Sequence, residues 1–425
     1  MSVHMRHEGG IRVPMNDTIG GAGVTTTMQQ RMERSTAMPG MTAASYTDLA
    51  YLGGTRAIAT TPIAGQPTQS LADIYVPGAE PIRDGEIRVT VLGSGNPPPT
   101  RAQASGSILV EVGNAERDMF IFDVGSGSLA NFMTLGLPIN ALDKVFLTHL
   151  HADHTADLIT LFGSFRKAGR QGPLHVWGGD GSEPKFGTKV ALDAIEAACA
   201  WDTESTRGFT SNESAVLVGA EFDASVTSVV YEHNGVTITA FPVIHNLHGA
   251  VGYRVDFAGV SMVFSGDTHP CWPLVHAAQG TDLLIHECFP SAAALAAVTG
   301  DSIERFQTIN TTHTVPKTAG KVFSLVQPRM GALWHTFLVP AVVVPILEEV
   351  SAVFDGPVVQ TQDLTIFNIT REAVVARQVH AAPQAVAIPG ESKLHLTYGT
   401  RPEPPAWWAE AIMDVDQPLV ATHHL

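Results

Sequence analysis

The sequence predicts an α/β protein with an αββα sandwich architecture, in which helices cover the outer faces of two packed β-sheets. Two separate sets of short, β-branched apolar runs predict the sheets, and helical patterns that follow each set predict the outer layers. The chain has 425 residues, 44% of them hydrophobic and 16% charged. This composition is typical of a packed globular protein with a large core.

The first set of strands begins at residue 87, where Gly-punctuated apolar runs replace an irregular Gly- and Thr-rich segment. Its predicted strands are 87–92, 107–112, 119–124 and 144–148, followed by helices at 156–167 and 189–201. The second set has predicted strands at 226–232, 236–243, 252–257 and 260–265. Helices at 290–299, 314–326 and 342–350 and a strand at 331–335 complete the pattern.

Three regions follow from these changes in texture. We expect an N-terminal extension at residues 1–85, a central domain at 86–370 and a C-terminal extension at 371–425. The extensions contain too much Pro, Gly and aromatic residue for simple solvated tails. We expect them to pack on the core or on a neighbouring subunit, which predicts a homo-oligomer.

Charge and cysteine content restrict the environment and the partners. Lys and Arg number 25 against 41 Asp and Glu, so the net charge is −16, which disfavours a nucleic-acid partner. The three cysteines form no CxxC pair, and no stretch is long and apolar enough to span a membrane. These features favour a cytoplasmic protein with no membrane partner.

The strongest local signal is the segment Thr148-His149-Leu150-His151-Ala152-Asp153-His154 directly after a buried strand. Three imidazoles and a carboxylate within six residues give the mixture of nitrogen and oxygen donors that suits zinc. One such corner cannot complete two metal shells, so further His or Asp residues are expected at later strand ends. His245, Asp267 and His335 each follow an apolar run, and Asp267 is the group most able to bridge two cations.

With these residues in these positions, the sequence resembles the metallo-β-lactamase superfamily and, within it, the branch around tRNase Z. The resemblance extends from about residue 87 to 369. It rests on the His-x-His-x-Asp-His motif and on these further segments: 92–95, 122–127, 245–254, 265–268, 282–287 and 312–314. It implies a metallo-β-lactamase sandwich with two zinc ions per chain, which manganese or iron could replace.

The resemblance also implies a role for each motif residue. His149, His151 and His245 would bind one metal ion, Asp153, His154 and His335 the second, and Asp267 would bridge them. Asp153 would also orient the attacking water. His313 would protonate the leaving group, and Glu287, in the segment 282–287, would make a supporting hydrogen bond and take no part in catalysis itself.

The main functional prediction is a dinuclear zinc hydrolase that uses a metal-bridged hydroxide on a small or medium-sized substrate. Phosphodiesters, other esters, lactams and lactones all remain open, so both phosphodiesterase and β-lactamase activity are considered. A tRNA 3′-processing endonuclease (ribonuclease Z) is the first alternative, disfavoured because residues 171–235 carry three basic and ten acidic side chains where tRNase Z has a basic arm. The second alternative is a non-catalytic, metal-bearing assembly scaffold.

Overall fold

The fold consists of two β-sheets packed face to face, with helices on both outer sides. The computed structural model describes residues 74–382, 384–388, 390 and 393–411. Most of the predicted N-terminal extension and the end of the C-terminal extension, residues 412–425, lie outside this part of the chain. The described part falls within one compact unit, Leu49–Leu425.

The first sheet has nine strands in the order β1-β16-β15-β2-β3-β4-β5-β6-β7. They are β1 Ile74–Tyr75, β2 Ile87–Gly93, β3 Ser107–Val112, β4 Met119–Phe122, β5 Lys144–Phe146, β6 Leu174–Gly179, β7 Leu217–Phe222, β15 Thr365–Ile369 and β16 Val374–Val379. Strands β4 to β7 run parallel to one another. The carboxyl ends of β4 and β5 therefore lie at one edge of the sheet.

The second sheet has seven strands in the order β14-β13-β12-β11-β10-β9-β8. They are β8 Ser228–His233, β9 Val236–Pro242, β10 Val251–Phe257, β11 Val260–Phe264, β12 Leu283–Glu287, β13 Met330–Trp334 and β14 Val358–Gln360. Strands β11 to β14 are parallel, whereas β8 to β11 pair antiparallel. Strand β9 therefore points in the same direction as β11 to β13.

The helices form the outer layers. They are α1 Ser128–Met133, α2 Ala152–Thr155, α3 Phe165–Ala168, α4 Thr188–Ala198, α5 Ala200–Ser205, α6 Trp272–Ala277, α7 Ala292–Thr299, α8 Ile303–Ile309, α9 Pro316–Val326, α10 Pro340–Ser351 and α11 Trp408–Ala411. Side chains from α1, α3 and α4 join one buried cluster on the first sheet, and those from α6, α9 and α10 join another on the second. The predicted αββα sandwich is confirmed.

The space between the sheets holds the central core, built from alternate side chains of both sheets. Phe146 on β5 stacks on Trp177 with ring centroids 4.7 Å apart, and Tyr253 on β10 closes over Phe146 edge to face. The buried Tyr253 hydroxyl donates a 2.7 Å hydrogen bond to the carbonyl of Leu147. This bond joins the second sheet to the chain immediately before the histidine motif.

Several elements differ from the sequence prediction. Within the range of the helix expected at 156–167, a π-helical turn at Thr160–Ser164 runs directly into α3, and α2 ends just before this range. Strands β1, β6, β7, β12, β14, β15 and β16 were not predicted. The first sheet combines strands from all three predicted regions. Strand β16, in the predicted C-terminal extension, pairs with β1 in the predicted N-terminal extension and with β15 in the predicted domain. Those limits stay predictions. Within the described residues, the helices are all too short or too polar to cross a membrane.

Candidate metal centre

The predicted ligands lie together at the carboxyl-end edge of the two sheets. The histidine motif follows β5, His245 follows β9, Asp267 follows β11 and His335 directly follows β13. Because these strands point the same way within their sheets, their ends meet in one cleft between the layers. Residues separated by up to 186 positions in sequence thus reach a single site.

The first group of donors comprises His149, His151, His245 and Asp267. Nδ1 of His151 lies 2.9 Å from Nε2 of His149 and 3.2 Å from Nε2 of His245. Oδ2 of Asp267 lies 3.9 Å from His149 Nε2 and 3.8 Å from His245 Nε2. Donors around a tetrahedral zinc ion with bonds of about 2.0–2.2 Å are about 3.3–3.6 Å apart, which these separations bracket.

The second group comprises Asp153, His154 and His335. Oδ2 of Asp153 lies 3.3 Å from His335 Nε2 and 3.4 Å from His154 Nε2. Oδ2 of Asp267, the atom that faces the first group, also lies 3.5 Å from His154 Nε2. Asp267 therefore stands between the two groups, where a bridging carboxylate would be needed.

Unsatisfied polar atoms support the fit of metal ions to these groups. Nε2 of His154 is buried and has no hydrogen-bond partner among the described residues. Oδ1 of Asp267 and Nδ1 of His335 are buried without a hydrogen bond there as well, although they face each other at 3.5 Å. Burying such atoms without a partner is unfavourable, and a bound cation removes this penalty. Although burial alone would raise the pKa of Asp267, the neighbouring His335 and His154 hold it well below its usual range, as a carboxylate ligand requires.

Hydrogen bonds from outside the two groups fix the orientation of the rings. Nδ1 of His154 lies 2.8 Å from Oδ2 of Asp123, which also accepts a 2.7 Å hydrogen bond from the Thr148 hydroxyl. Nδ1 of His245 lies 3.0 Å from the carbonyl oxygen of Thr312. A hydrogen bond at Nδ1 leaves the Nε2 lone pair directed at the centre, the arrangement common to metal-bound histidines.

His313 lies beside both groups and is held by Glu287, the last residue of β12. Nδ1 of His313 lies 2.9 Å from Oε1 of Glu287, and its ring stacks on Phe289 at 4.6 Å and on His335 at 5.8 Å. Burial would lower the pKa of His313, but the facing Glu287 carboxylate overrides this effect and raises the pKa to about 9. Glu287 itself accepts hydrogen bonds from the backbone amides of Thr268 and Thr314.

Sequence reasoning missed one supporting residue, Asp123. It lies directly after β4 with a left-handed backbone (φ 59°) and is fully buried. The sequence shows it only as part of a Gly-rich turn, so its contacts with Thr148 and His154 could not be predicted. A polar residue that ends a continuous apolar strand was the available signal.

The chain was then compared with known proteins. A family model described as "Beta-lactamase superfamily domain" matches residues 120–336. Ribonuclease Z from Mycobacterium sp. (strain KMS) is 32% identical over 212 residues, which cover 47% of this chain and 68% of the relative. Ribonuclease Z from Mycobacterium marinum is also 32% identical, with 47% of this chain and 70% of the relative covered. Among solved structures, the metallo-β-lactamase fold protein YhfI from Bacillus subtilis superposes with a TM-score of 0.50 at 20% identity, covering 67% of this chain and 100% of that protein.

The fold, the cluster of donors and the family match together define a metal-dependent hydrolase. The chain belongs to the metallo-β-lactamase superfamily. Within that superfamily it is a tRNase Z-like member, as its similarity to the ribonuclease Z relatives shows. The alternative of a non-catalytic, metal-bearing assembly scaffold is therefore not supported.

One prediction is wrong. A small-molecule substrate was expected and nucleic acid was disfavoured, yet the curated relatives are named as ribonucleases. The error came from treating the net charge of −16, together with the acidic balance of residues 171–235, as a property of the binding site. Net charge sums the whole chain, whereas binding depends on the charges near the ligand.

Proposed function

We propose that the chain is a dinuclear zinc phosphodiesterase that cleaves RNA, with tRNA precursors as its substrates. The observation that carries this proposal is the convergence of seven donor side chains on two positions that share Asp267, with the His313–Glu287 pair alongside. The ribonuclease Z relatives support RNA as the substrate class.

The donors divide between two zinc positions. His149, His151 and His245 would hold the first, Asp153, His154 and His335 the second, and Asp267 would contact both. When bound, two zinc ions supply Lewis acidity that lowers the proton affinity of a water molecule and offsets charge on the phosphoryl oxygens. Manganese and iron also accept this set of donors.

Local charge reconciles an acidic chain with a polyanionic substrate. Asp153 and Asp267 contribute two negative charges, and two divalent cations contribute four positive charges, so the occupied centre carries about +2 at the point of attack. A phosphodiester would therefore meet a positive site even though the chain as a whole is acidic.

The protein's own groups manage the proton. Nδ1 of His313 is held by Glu287, and its Nε2 has no hydrogen-bond partner among the described residues. A proton on Nε2 would pass to the leaving oxygen of the RNA, and Glu287 keeps the ring protonated at neutral pH. Asp153, at the edge of the second group, would orient the attacking water.

A cleavage assay with the full-length chain tests the proposal. The substrate is a tRNA precursor with a 3′ trailer, incubated with added zinc, with chelator, and with zinc restored after chelation. We expect cleavage that depends on metal, is lost in Asp267→Ala and persists in the control His233→Ala, which alters an exposed histidine on β8. Metal-dependent hydrolysis of bis-p-nitrophenyl phosphate without any RNA cleavage would overturn RNA as the substrate. Loss of both activities in a chain with bound metal would overturn the hydrolase mechanism.

A further inference from the structure

A side pocket opens directly from the candidate metal centre. It has a volume of about 270 Å³ and lies between the 3₁₀ turn Pro184–Phe186 and the loop formed by residues 245–250. His149, His151 and His245 form the wall that it shares with the metal centre. A group held in this pocket would therefore be adjacent to the bond under attack.

The shape of the pocket is set by close backbone packing. Gly179 at the end of β6 and Gly249 in the loop approach so closely that a Cβ on Gly179 would lie 2.5 Å from the Gly249 carbonyl oxygen. The hydroxyl of Thr188 donates a 2.8 Å hydrogen bond to the Gly179 carbonyl and ties the start of α4 to the same point. The walls are thus held in place by the backbone, which favours a preformed pocket.

Exposed apolar side chains form part of the lining. Phe186 is 40% exposed and Leu247 is 63% exposed, although both lie beside a polar metal centre. The ammonium group of Lys185 lies 4.7 Å from the centroid of the Phe186 ring. Lys185 covers one face of the ring and is paired with Glu183 at 3.0 Å, so an aromatic ligand would stack on the other face of Phe186.

Asp180 supplies a polar group in the same lining. Its Oδ1 accepts a hydrogen bond from the Ala224 amide (3.0 Å) and lies 3.2 Å from Nε2 of His248. Its Oδ2 has no hydrogen-bond partner among the described residues. A carboxylate oxygen in this position can accept a hydrogen bond from an exocyclic amino group of a base.

We propose that the side pocket binds the base of the nucleotide next to the scissile phosphate, with Phe186 stacking on the base and Asp180 accepting from its amino group. This inference rests on the proposed cleavage of RNA and adds a preference for adenine, cytosine or guanine over uracil at that nucleotide. The pocket volume is sufficient for one unpaired base. The bases of single-stranded RNA are commonly bound by stacking on aromatic side chains.

The kinetic test uses precursor RNAs that differ only in the base of one of the two nucleotides that flank the cleavage site. One form is abasic at that nucleotide. Stacking on one aromatic side chain accounts for about a 10- to 100-fold difference in binding. We therefore expect Phe186→Ala to raise KM about 10- to 100-fold with little change in kcat, and Phe186→Trp to restore it. Trp201→Ala, which removes an 81% exposed aromatic side chain outside the pocket, is the matched control.

Two comparisons separate binding of a base from general damage. On the abasic RNA, Phe186→Ala should cause no further loss, because the stacked base is already missing. Asp180→Asn should remove the discrimination against uracil while leaving the effect of Phe186→Ala unchanged. An equal loss on the normal and abasic RNAs, or no change in KM for Phe186→Ala, would overturn the proposal.

A binding measurement tests the pocket assignment independently of the proposed RNA cleavage. Isothermal titration of the full-length, zinc-loaded chain with AMP, CMP and UMP should show tighter binding of AMP and CMP, weakened in Phe186→Ala. Binding of nucleotides with this preference but no RNA cleavage would sink the proposed function and leave the pocket assignment standing. RNA cleavage with equal, Phe186-independent binding of all three nucleotides would sink the pocket assignment alone.

Discussion

Replacing Glu287 with Gln tests the role of the His313–Glu287 pair most directly. Gln has nearly the same shape and keeps one oxygen, which can accept from the Thr268 amide as Oε1 of Glu287 does. It removes the negative charge that faces His313 at 2.9 Å and also the second oxygen, which accepts from the Thr314 amide. The substitution therefore changes the protonation of His313 with little change in packing.

The expected magnitude follows from the pKa of His313. Glu287 raises this pKa to about 9 against the ordinary value of 6.5, a difference of about 3 kcal/mol. Without the carboxylate, burial would lower the pKa of His313 and Asp267 would raise it, so the ordinary value of 6.5 serves as the reference for the variant. The protonated fraction at pH 8 would fall from about 90% to about 3%, a loss of about 30-fold, whereas at pH 6 the loss would be less than about 2-fold.

The assay measures kcat between pH 6 and pH 9 on precursor RNA and on bis-p-nitrophenyl phosphate. The RNA leaving group is a strong base that requires protonation, so its cleavage should fall steeply at high pH in Glu287→Gln. The p-nitrophenolate leaving group departs without a proton and should be affected much less. Zinc content is measured in parallel, and Glu304→Gln, an exposed change on α8, serves as control.

The loss of stability in Glu287→Gln should have the opposite pH dependence to the loss of kcat. It should be largest at low pH, where the loss of kcat is smallest. A raised histidine pKa contributes stability that is complete below the unfolded value of about 6.5 and is lost as pH rises through about 9. Glu287→Gln should therefore lower the free energy of unfolding by up to about 3 kcal/mol at pH 6 and by little at pH 10.

A kcat loss equal at pH 6 and pH 8, or equal for both substrates, would refute the proton-donor role of His313.

Three further changes test the centre and the fold. Asp267→Ala should reduce bound zinc from two ions to one or fewer per chain by elemental analysis, because both donor groups lose their shared oxygen; two retained ions would contradict bridging. Gly125→Ala should lower the melting temperature and the zinc content together, since its Cβ would lie 2.2 Å from the Asp153 carbonyl oxygen and 2.6 Å from the Ser105 carbonyl carbon. Glu111→Gln should stabilise the chain by about 3 kcal/mol at pH 8 and by little at pH 4 in denaturant titrations. Burial raises the pKa of Glu111 to about 7, so the native state pays an ionisation penalty above that pH, and equal stability at pH 8 would contradict this.

The sequence predicted that the candidate ligands lie together because each follows a buried strand. A short apolar run such as Met330–Trp334 favours a buried strand, so the polar residue after it, His335, is expected at the sheet edge. The order of strands was not needed for this prediction. All that was required is that parallel strands end on the same side.

Other features depended on contacts that no local pattern encodes. Strand β7 has exposed and half-buried residues and contains Gly219, so its sequence lacks the apolar periodicity of a core strand. Helix α2 does not continue into the helical turns at residues 160–168, because the Asp157 amide donates to the Val124 carbonyl and not to the preceding helical turn. Both outcomes are set by neighbours that are distant in sequence.

The failure of the charge argument has the same origin. A summed charge of −16 treats every carboxylate as equally close to the substrate, but in the proposed centre Asp153 and Asp267 would bind cations and so reverse their own effect. The side pocket adds recognition by an apolar ring, which requires no positive charge at all. An acidic chain can therefore act on RNA when the cations are concentrated at the reacting phosphate and the base is bound by stacking. The location of each carboxylate relative to the metal centre, and not the number of carboxylates, determines the class of substrate.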